Sequence, residues 1–171
     1  MSAFEVSRRG FSIGAAAVVG AAVAGCGRAA KNTATSNDLA GAAVQPKAVL
    51  MTVYRDPSCG CCEAWAALAA EAGYQVSVID HPDMPDIKKQ YGVPDELSSC
   101  HTAIAAGYAI EGHVPLEDVS RLLETKPTEI RGIAVAGMPR GSPGMEMPDG
   151  SRDPFEVMAF DNAGRFARFE V

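Results

Sequence analysis

Val49-Leu50-Met51-Thr52-Val53-Tyr54, followed by Asp56-Pro57-Ser58 and then Cys59-Gly60-Cys61-Cys62, is the stretch from which the fold is read. An apolar run closed by turn residues is the pattern of a buried strand. Beyond the cysteines, Trp65, Leu68, Ala69 and Ala72 recur at helical spacing, and Gly73 supplies a stop, so a helix is expected from about Cys62 to Gly73. Three of the chain's five cysteines therefore stand where a strand hands over to a helix. A single buried cysteine fills a gap as well as three do. What three add is softness toward metal ions and thiol–disulfide chemistry.

Outward from this junction the pattern is regular. Gln75 to Asp80 alternates as a second strand, His81-Pro82 ends it, and a short helix is expected from about Pro85 to Tyr91. Gly92-Val93-Pro94 and Ser98-Ser99-Cys100 lead into a third strand from about His101 to Ala106. Gly107 then turns the chain into a fourth, Tyr108 to Glu111. Pro115 opens a helix in a favourable first-turn position, with Glu117 and Asp118 near its positive end. Val119, Leu122 and Leu123 form its inner face, and Lys126-Pro127 stops it. The order β-α-β-α-β-β-α with thiols at the first strand-to-helix turn is that of an α/β, thioredoxin-like domain. After it come a Gly/Pro/Met loop, Met138 to Gly150, and a hairpin extension with Glu156–Phe160 and Arg165–Val171 alternating around Asp161-Asn162-Ala163-Gly164. No internal repeat is visible.

Ser7-Arg8-Arg9-Gly10-Phe11-Ser12 and the apolar stretch from Ile13 to Gly25 read as a twin-arginine export signal. The stretch is too short to span a bilayer, which takes about 20 apolar residues. Its end, Val23-Ala24-Gly25-Cys26, resembles a bacterial lipobox, with Cys26 as the lipidated residue. Residues 1–26 are thus read as the signal, 27–47 as a flexible linker of small polar residues, and 48–171 as the folded domain. The expected location is periplasmic, with membrane attachment through a lipid anchor only. Net charge of −6 and the lack of a basic patch exclude nucleic acid as a partner.

If Cys26 is acylated, Cys59, Cys61, Cys62 and Cys100 remain. A helix start favours thiolate, and Cys59 and Cys62 have the Cys-x-x-Cys spacing that lets two sulfurs meet. Cys61 is a third sulfur that a redox pair does not need and a metal site would use; cuprous ion prefers such soft, crowded thiolates. Cys100, just before the third strand, is the candidate fourth ligand. His101 follows it, although strand alternation would turn the imidazole away from whatever Cys100 faces. His113, on the turn after the fourth strand, and Met138, Met145 and Met147, in a loop with little core to fill, are further candidate ligands. Trp65 is assigned to the core and His81 to the surface.

Cys59-Gly60-Cys61-Cys62 with Trp65, Gly92-Val93-Pro94, Ser99-Cys100-His101-Thr102, Tyr108 to Pro115, Gly137-Met138-Pro139 and Gly141 to Glu146 resemble one family. It is the exported thioredoxin-like metal-binding family, a domain of unknown function, that includes the periplasmic copper-resistance protein CopG. The resemblance covers about Val49 to Met147. It implies copper handling in the periplasm, with Cys59, Cys61, Cys62 and Cys100 as the copper-binding groups, Cu(I) as the ion, and a copper exporter or another periplasmic carrier as partner. Two other readings stay open: a thiol–disulfide oxidoreductase in which Cys59 attacks and Cys62 resolves, alone or coupled to copper reduction, and a zinc site, which adjacent Cys61 and Cys62 make awkward.

Overall fold

The computed structural model describes residues 48–170. The export signal, Cys26 and the linker lie outside the described residues. The described chain runs β1 (Leu50–Arg55), α1 (Gly60–Glu71), β2 (Gln75–Asp80), α2 (Met84–Tyr91), a single 3-10 turn (Asp95–Leu97), β3 (His101–Ala105), β4 (Tyr108–Glu111), α3 (Leu116–Thr125), β5 (Gly132–Ala134), β6 (Met158–Phe160) and β7 (Phe166–Arg168). Through α3 this is the succession of strands and helices expected from the sequence. No helix among the described residues is long and apolar enough to cross a membrane.

Local chemistry accounts for the boundaries. Asp56 accepts the Ser58 N–H on its side chain and the Cys59 N–H on its carbonyl, which folds the β1–α1 turn tightly and starts α1 at Gly60. Asp83 caps α2 by accepting the Asp86 N–H, and Gly92, in the left-handed region, ends it. Ala106 and Gly107 both have positive φ, as a two-residue hairpin turn matched to strand twist requires, and they join β3 to β4.

The strands form one mixed sheet in the order β2-β1-β3-β4-β5-β6-β7. β1 is parallel to β2 and antiparallel to β3; β3 and β4 are antiparallel; β4 and β5 are parallel. β5 was not expected. It is three residues long, too short to show alternation, and it lets the terminal hairpin continue the main sheet rather than stand apart from it.

Alternation divides the sheet into two faces, each with its own core. On one, Met51, Val53, Ala103, Ile110 and Ile133 pack with Trp65, Ala66 and Ala69 of α1 and Val119 and Leu122 of α3. On the other, Ala109, Ala134 and Phe160 pack with Val93, Leu97 and Tyr91 at the end of α2. Trp65 is fully buried, as expected, and donates its indole N–H to the Val114 carbonyl at 2.9 Å. Removing roughly 200 Å² of indole from water is worth about 5 kcal/mol before ordering costs, so this one side chain does much to fix α1 on the sheet.

Gly132 sits where a methyl has no room: a Cβ there would lie 2.1 Å from the Ala109 carbonyl oxygen and 2.7 Å from the Phe160 ring. Gly132→Ala is expected to lower stability by about 1–3 kcal/mol, the usual range for overpacking. Urea unfolding would register this as a lower midpoint with unchanged slope.

Candidate metal centre

The β1–α1 turn places Cys59 at the N-cap of α1, with Gly60, Cys61 and Cys62 in its first turn. Cys59 makes no side-chain capping bond, and its place at a helix start favours negative charge. Cys59 and Cys62 are joined as a disulfide, while Cys61 and Cys100 are free thiols. Cys61 Sγ lies 3.5 Å from Cys59 Sγ and 3.9 Å from Cys100 Sγ. The four sulfurs lie within 4.8 Å of one another, a set that could hold a metal ion. Cys62 is buried, and the other three are part-exposed.

Cys100 belongs to a second set with His101 and His113, whose ligand atoms also lie within 4.8 Å of one another. Its Sγ is 3.4 Å from His101 Nδ1 and 3.1 Å from His113 Nε2. The alternation argument for His101 therefore fails. Cys100 lies in a bend ahead of β3, outside the regular pleat, and turns back toward the face that His101, the first residue of β3, also takes. That face is the α1 face: the His101 ring packs on Trp65 with centroids 4.8 Å apart and meets His113 edge-on at 5.1 Å.

Protonation follows from burial. The Pro143 carbonyl 2.8 Å from His113 Nδ1 requires that nitrogen to carry the proton, so Nε2 presents its lone pair to Cys100. Burial lowers the His113 pKa, and burial, helped by His113 and Lys88, takes His101 down to about 3, so both rings are neutral at pH 7. Burial, then the neighbouring Cys61, pushes the Cys100 thiol up to about 12. His101 Nε2 is buried without a hydrogen-bond partner among the described residues. Two neutral imidazoles and a crowd of sulfurs form a soft donor set that fits a thiophilic cation and offers little to a hard one.

The Gly/Pro/Met loop reaches this site through its backbone. Besides the bond from Pro143 to His113, Gly144 packs so closely on α1 that a Cβ would lie 2.8 Å from Trp65 N and 3.2 Å from the Cys61 carbonyl oxygen. Ser142 is buried and donates to Pro139, which stiffens the loop from within. Met138 is 56% exposed, whereas Met145 and Met147 are half-buried in the same loop. His81, expected at the surface, sits part-exposed in its turn with its ring against the Asp83 backbone.

Sequence reasoning missed Glu111 and Lys88. Glu111 is fully buried on the opposite sheet face, where it accepts bonds from Lys88 Nζ at 2.5 Å, Ser99 N at 2.6 Å and Thr102 Oγ1 at 2.6 Å. Burial raises its pKa, while Lys88, Thr102 and Ser99 pull in the opposite direction. The available signal was a lone acidic residue ending an otherwise apolar strand.

Residues 97–145, which span Cys100, both histidines and most of the methionine loop, match a family described as a protein of unknown function, DUF411. No curated protein matches the chain. A solved structure of copper resistance protein CopG, form 1, is 38% identical, with a TM-score of 0.67, over 71% of this chain and 95% of that one. The chain belongs to the CopG family. CopG form 2 is similar to the same extent, 37% identical, with a TM-score of 0.67, over 71% of this chain and 96% of that one. In both comparisons the CopG chain is matched almost throughout, so the likeness extends well beyond the thiol motif.

With its pKa near 12, Cys100 reacts only through a trace of thiolate at ordinary pH. Its alkylation by iodoacetamide, followed by peptide mapping, is expected to keep rising about tenfold per pH unit past pH 9, where an ordinary thiol of pKa about 8.5 levels off.

Proposed function

We propose that this chain is an exported, thioredoxin-like copper-binding protein that holds cuprous ion at Cys59, Cys61, Cys62 and Cys100 and serves copper resistance. The observation that carries the proposal is the convergence of four cysteine sulfurs within 4.8 Å, with His113 Nε2 3.1 Å from one of them. The resemblance to copper resistance protein CopG supports copper as the metal, and a thiolate and imidazole donor set agrees with it. The strand order β2-β1-β3-β4, with the first pair parallel and the next two antiparallel, supports the thioredoxin-like assignment.

In this reading Cys59, Cys61, Cys62 and Cys100 bind as thiolates and His113 completes the site through Nε2. His101 stands ready beside Cys100, and Met145 and Met147 offer neutral thioethers from the covering loop. Closely spaced thiolates repel one another unless metal ions share them, which favours a cluster of several ions over a single one. Binding must displace thiol protons and needs the Cys59–Cys62 disulfide reduced. The twin-arginine motif and the lipobox ending at Cys26 support a periplasmic, lipid-anchored protein, tethered by residues 27–47. A copper exporter or periplasmic carrier would receive the ion.

The disulfide favours one companion reading, a copper-linked oxidoreductase. Two thiolates at Cys59 and Cys62 can give one electron each to two cupric ions, yielding the observed disulfide and two cuprous ions. Cys61 Sγ, 3.5 Å from Cys59, stands within reach to reopen that bond by exchange.

Fully reduced protein under anaerobic conditions is expected to bind more than one Cu(I) per chain, and the disulfide form fewer. A variant with serine at Cys59, Cys61, Cys62 and Cys100 should bind none specifically. Elemental analysis after competition with a cuprous chelator would measure this, and equal copper in wild type and variant would remove the proposal.

A further inference from the structure

Ser98 to Cys100 lie ahead of β3, outside its strand ladder, yet Cys100 must keep its sulfur within a few ångströms of Cys61 and His113 for the candidate site to exist. What grips this segment comes from the other face of the sheet. The Ser99 N–H donates to Glu111 Oε1 at 2.6 Å, and the same oxygen takes the Lys88 ammonium of α2 at 2.5 Å. Glu111 Oε2 accepts the Thr102 hydroxyl at 2.6 Å. The side chains of Glu111 and Lys88 are 0% and 11% exposed. Gly112, the next residue after Glu111, makes room for the grip: a Cβ there would lie 2.4 Å from Ser99 Oγ and 2.6 Å from the Val135 carbonyl oxygen. Ser99 Oγ donates to the Gly137 carbonyl, and the Gly137 N–H donates back to Ser98 O at 3.0 Å, so the methionine loop is tied to the same segment.

A buried ion pair is a poor device for stability. Desolvating the two charges costs several kcal/mol per ion, and well-packed apolar residues of similar volume often do as well or better. What an apolar pair cannot do is hold a backbone N–H. From this geometry we infer that Glu111, braced by Lys88, is a positioning residue for the thiol site: its carboxylate sets the Ser99–Cys100 segment, and through it the distance from Cys100 to Cys61 and His113. The inference deepens the copper-site reading and rests on it for its biological meaning. The positioning itself is measurable without copper.

The probe is phenylarsine oxide, whose arsenic loses its oxygen as water and forms two As–S bonds when a pair of free thiols stands close together. In the disulfide form only Cys61 and Cys100 among the described residues are free to form that bridge. Intact-mass titration of wild type against Glu111→Ala, Glu111→Gln and the double variant Lys88→Met/Glu111→Leu reads the capture, and thermal unfolding confirms that each is folded. Glu111→Ala and the double variant are expected to capture the arsenical about 10–100-fold more weakly, the usual cost of losing a group that orients metal ligands. Glu111→Gln, which keeps an acceptor for Ser99 N–H, should retain most of the affinity. The double variant separates positioning from charge burial, because it leaves no unpaired charge and loses only the acceptor for Ser99 N–H and Thr102. Wild-type capture by the folded double variant would overturn the inference. Failure of wild type to bind Cu(I) while its arsenical capture still depends on Glu111 would sink the copper reading and leave the positioning role standing.

Discussion

The seating of α1 on the start of β3 is the constraint from which the rest of the site follows. Trp65 accomplishes it with one side chain: its ring lies against His101, its N–H reaches the Val114 carbonyl, and its whole surface is withdrawn from water. Fixing Trp65 fixes the helix turn that precedes it, and that turn carries Cys61 and Cys62. The partner strand begins with His101, so Cys100 is brought opposite them across 38 or 39 residues of chain. Val114 belongs to the segment that also carries His113. One buried indole thus places sulfur and nitrogen donors from three parts of the sequence around one point.

Burial then sets the protonation of those donors. Withdrawing two imidazoles and a thiol from water favours their neutral forms, so these donors avoid a concentration of like charge. A bound cation reverses that preference, since it compensates thiolate and takes up the imidazole lone pairs, and protons leave as it enters. The same sulfurs carry the disulfide, which couples any metal occupancy to the redox state of Cys59 and Cys62. Binding and thiol oxidation are therefore alternatives at one site, not properties of two.

Much of this was legible in the chain because the elements are short and sharply punctuated. The apolar run before Asp56, the helical spacing of Trp65, Leu68 and Ala69, and the turn at Gly107 each follow from local physics, and they located the thiol trio and Cys100. β5 was hidden, because three residues show no period and its existence depends on β4 lying beside it. His101 was misjudged because alternation holds only inside a strand, and Cys100 lies in the bend outside it. Glu111 escaped notice for a different reason. A carboxylate at a strand end normally meets water, and only tertiary structure brings Lys88, Ser99 and Thr102 to it. The methionine loop was read from composition, but its docking on α1 through Gly144 is a matter of shape that no sequence pattern announces.

X-ray absorption at the copper edge, on reduced protein loaded with Cu(I) and handled without air, tests the central claim most directly. The account predicts a coordination shell dominated by sulfur, with a minor nitrogen contribution that weakens when His113 is replaced and a copper–copper scattering path. A shell of nitrogen and oxygen alone, unchanged when Cys61 and Cys100 are replaced by serine, would contradict it.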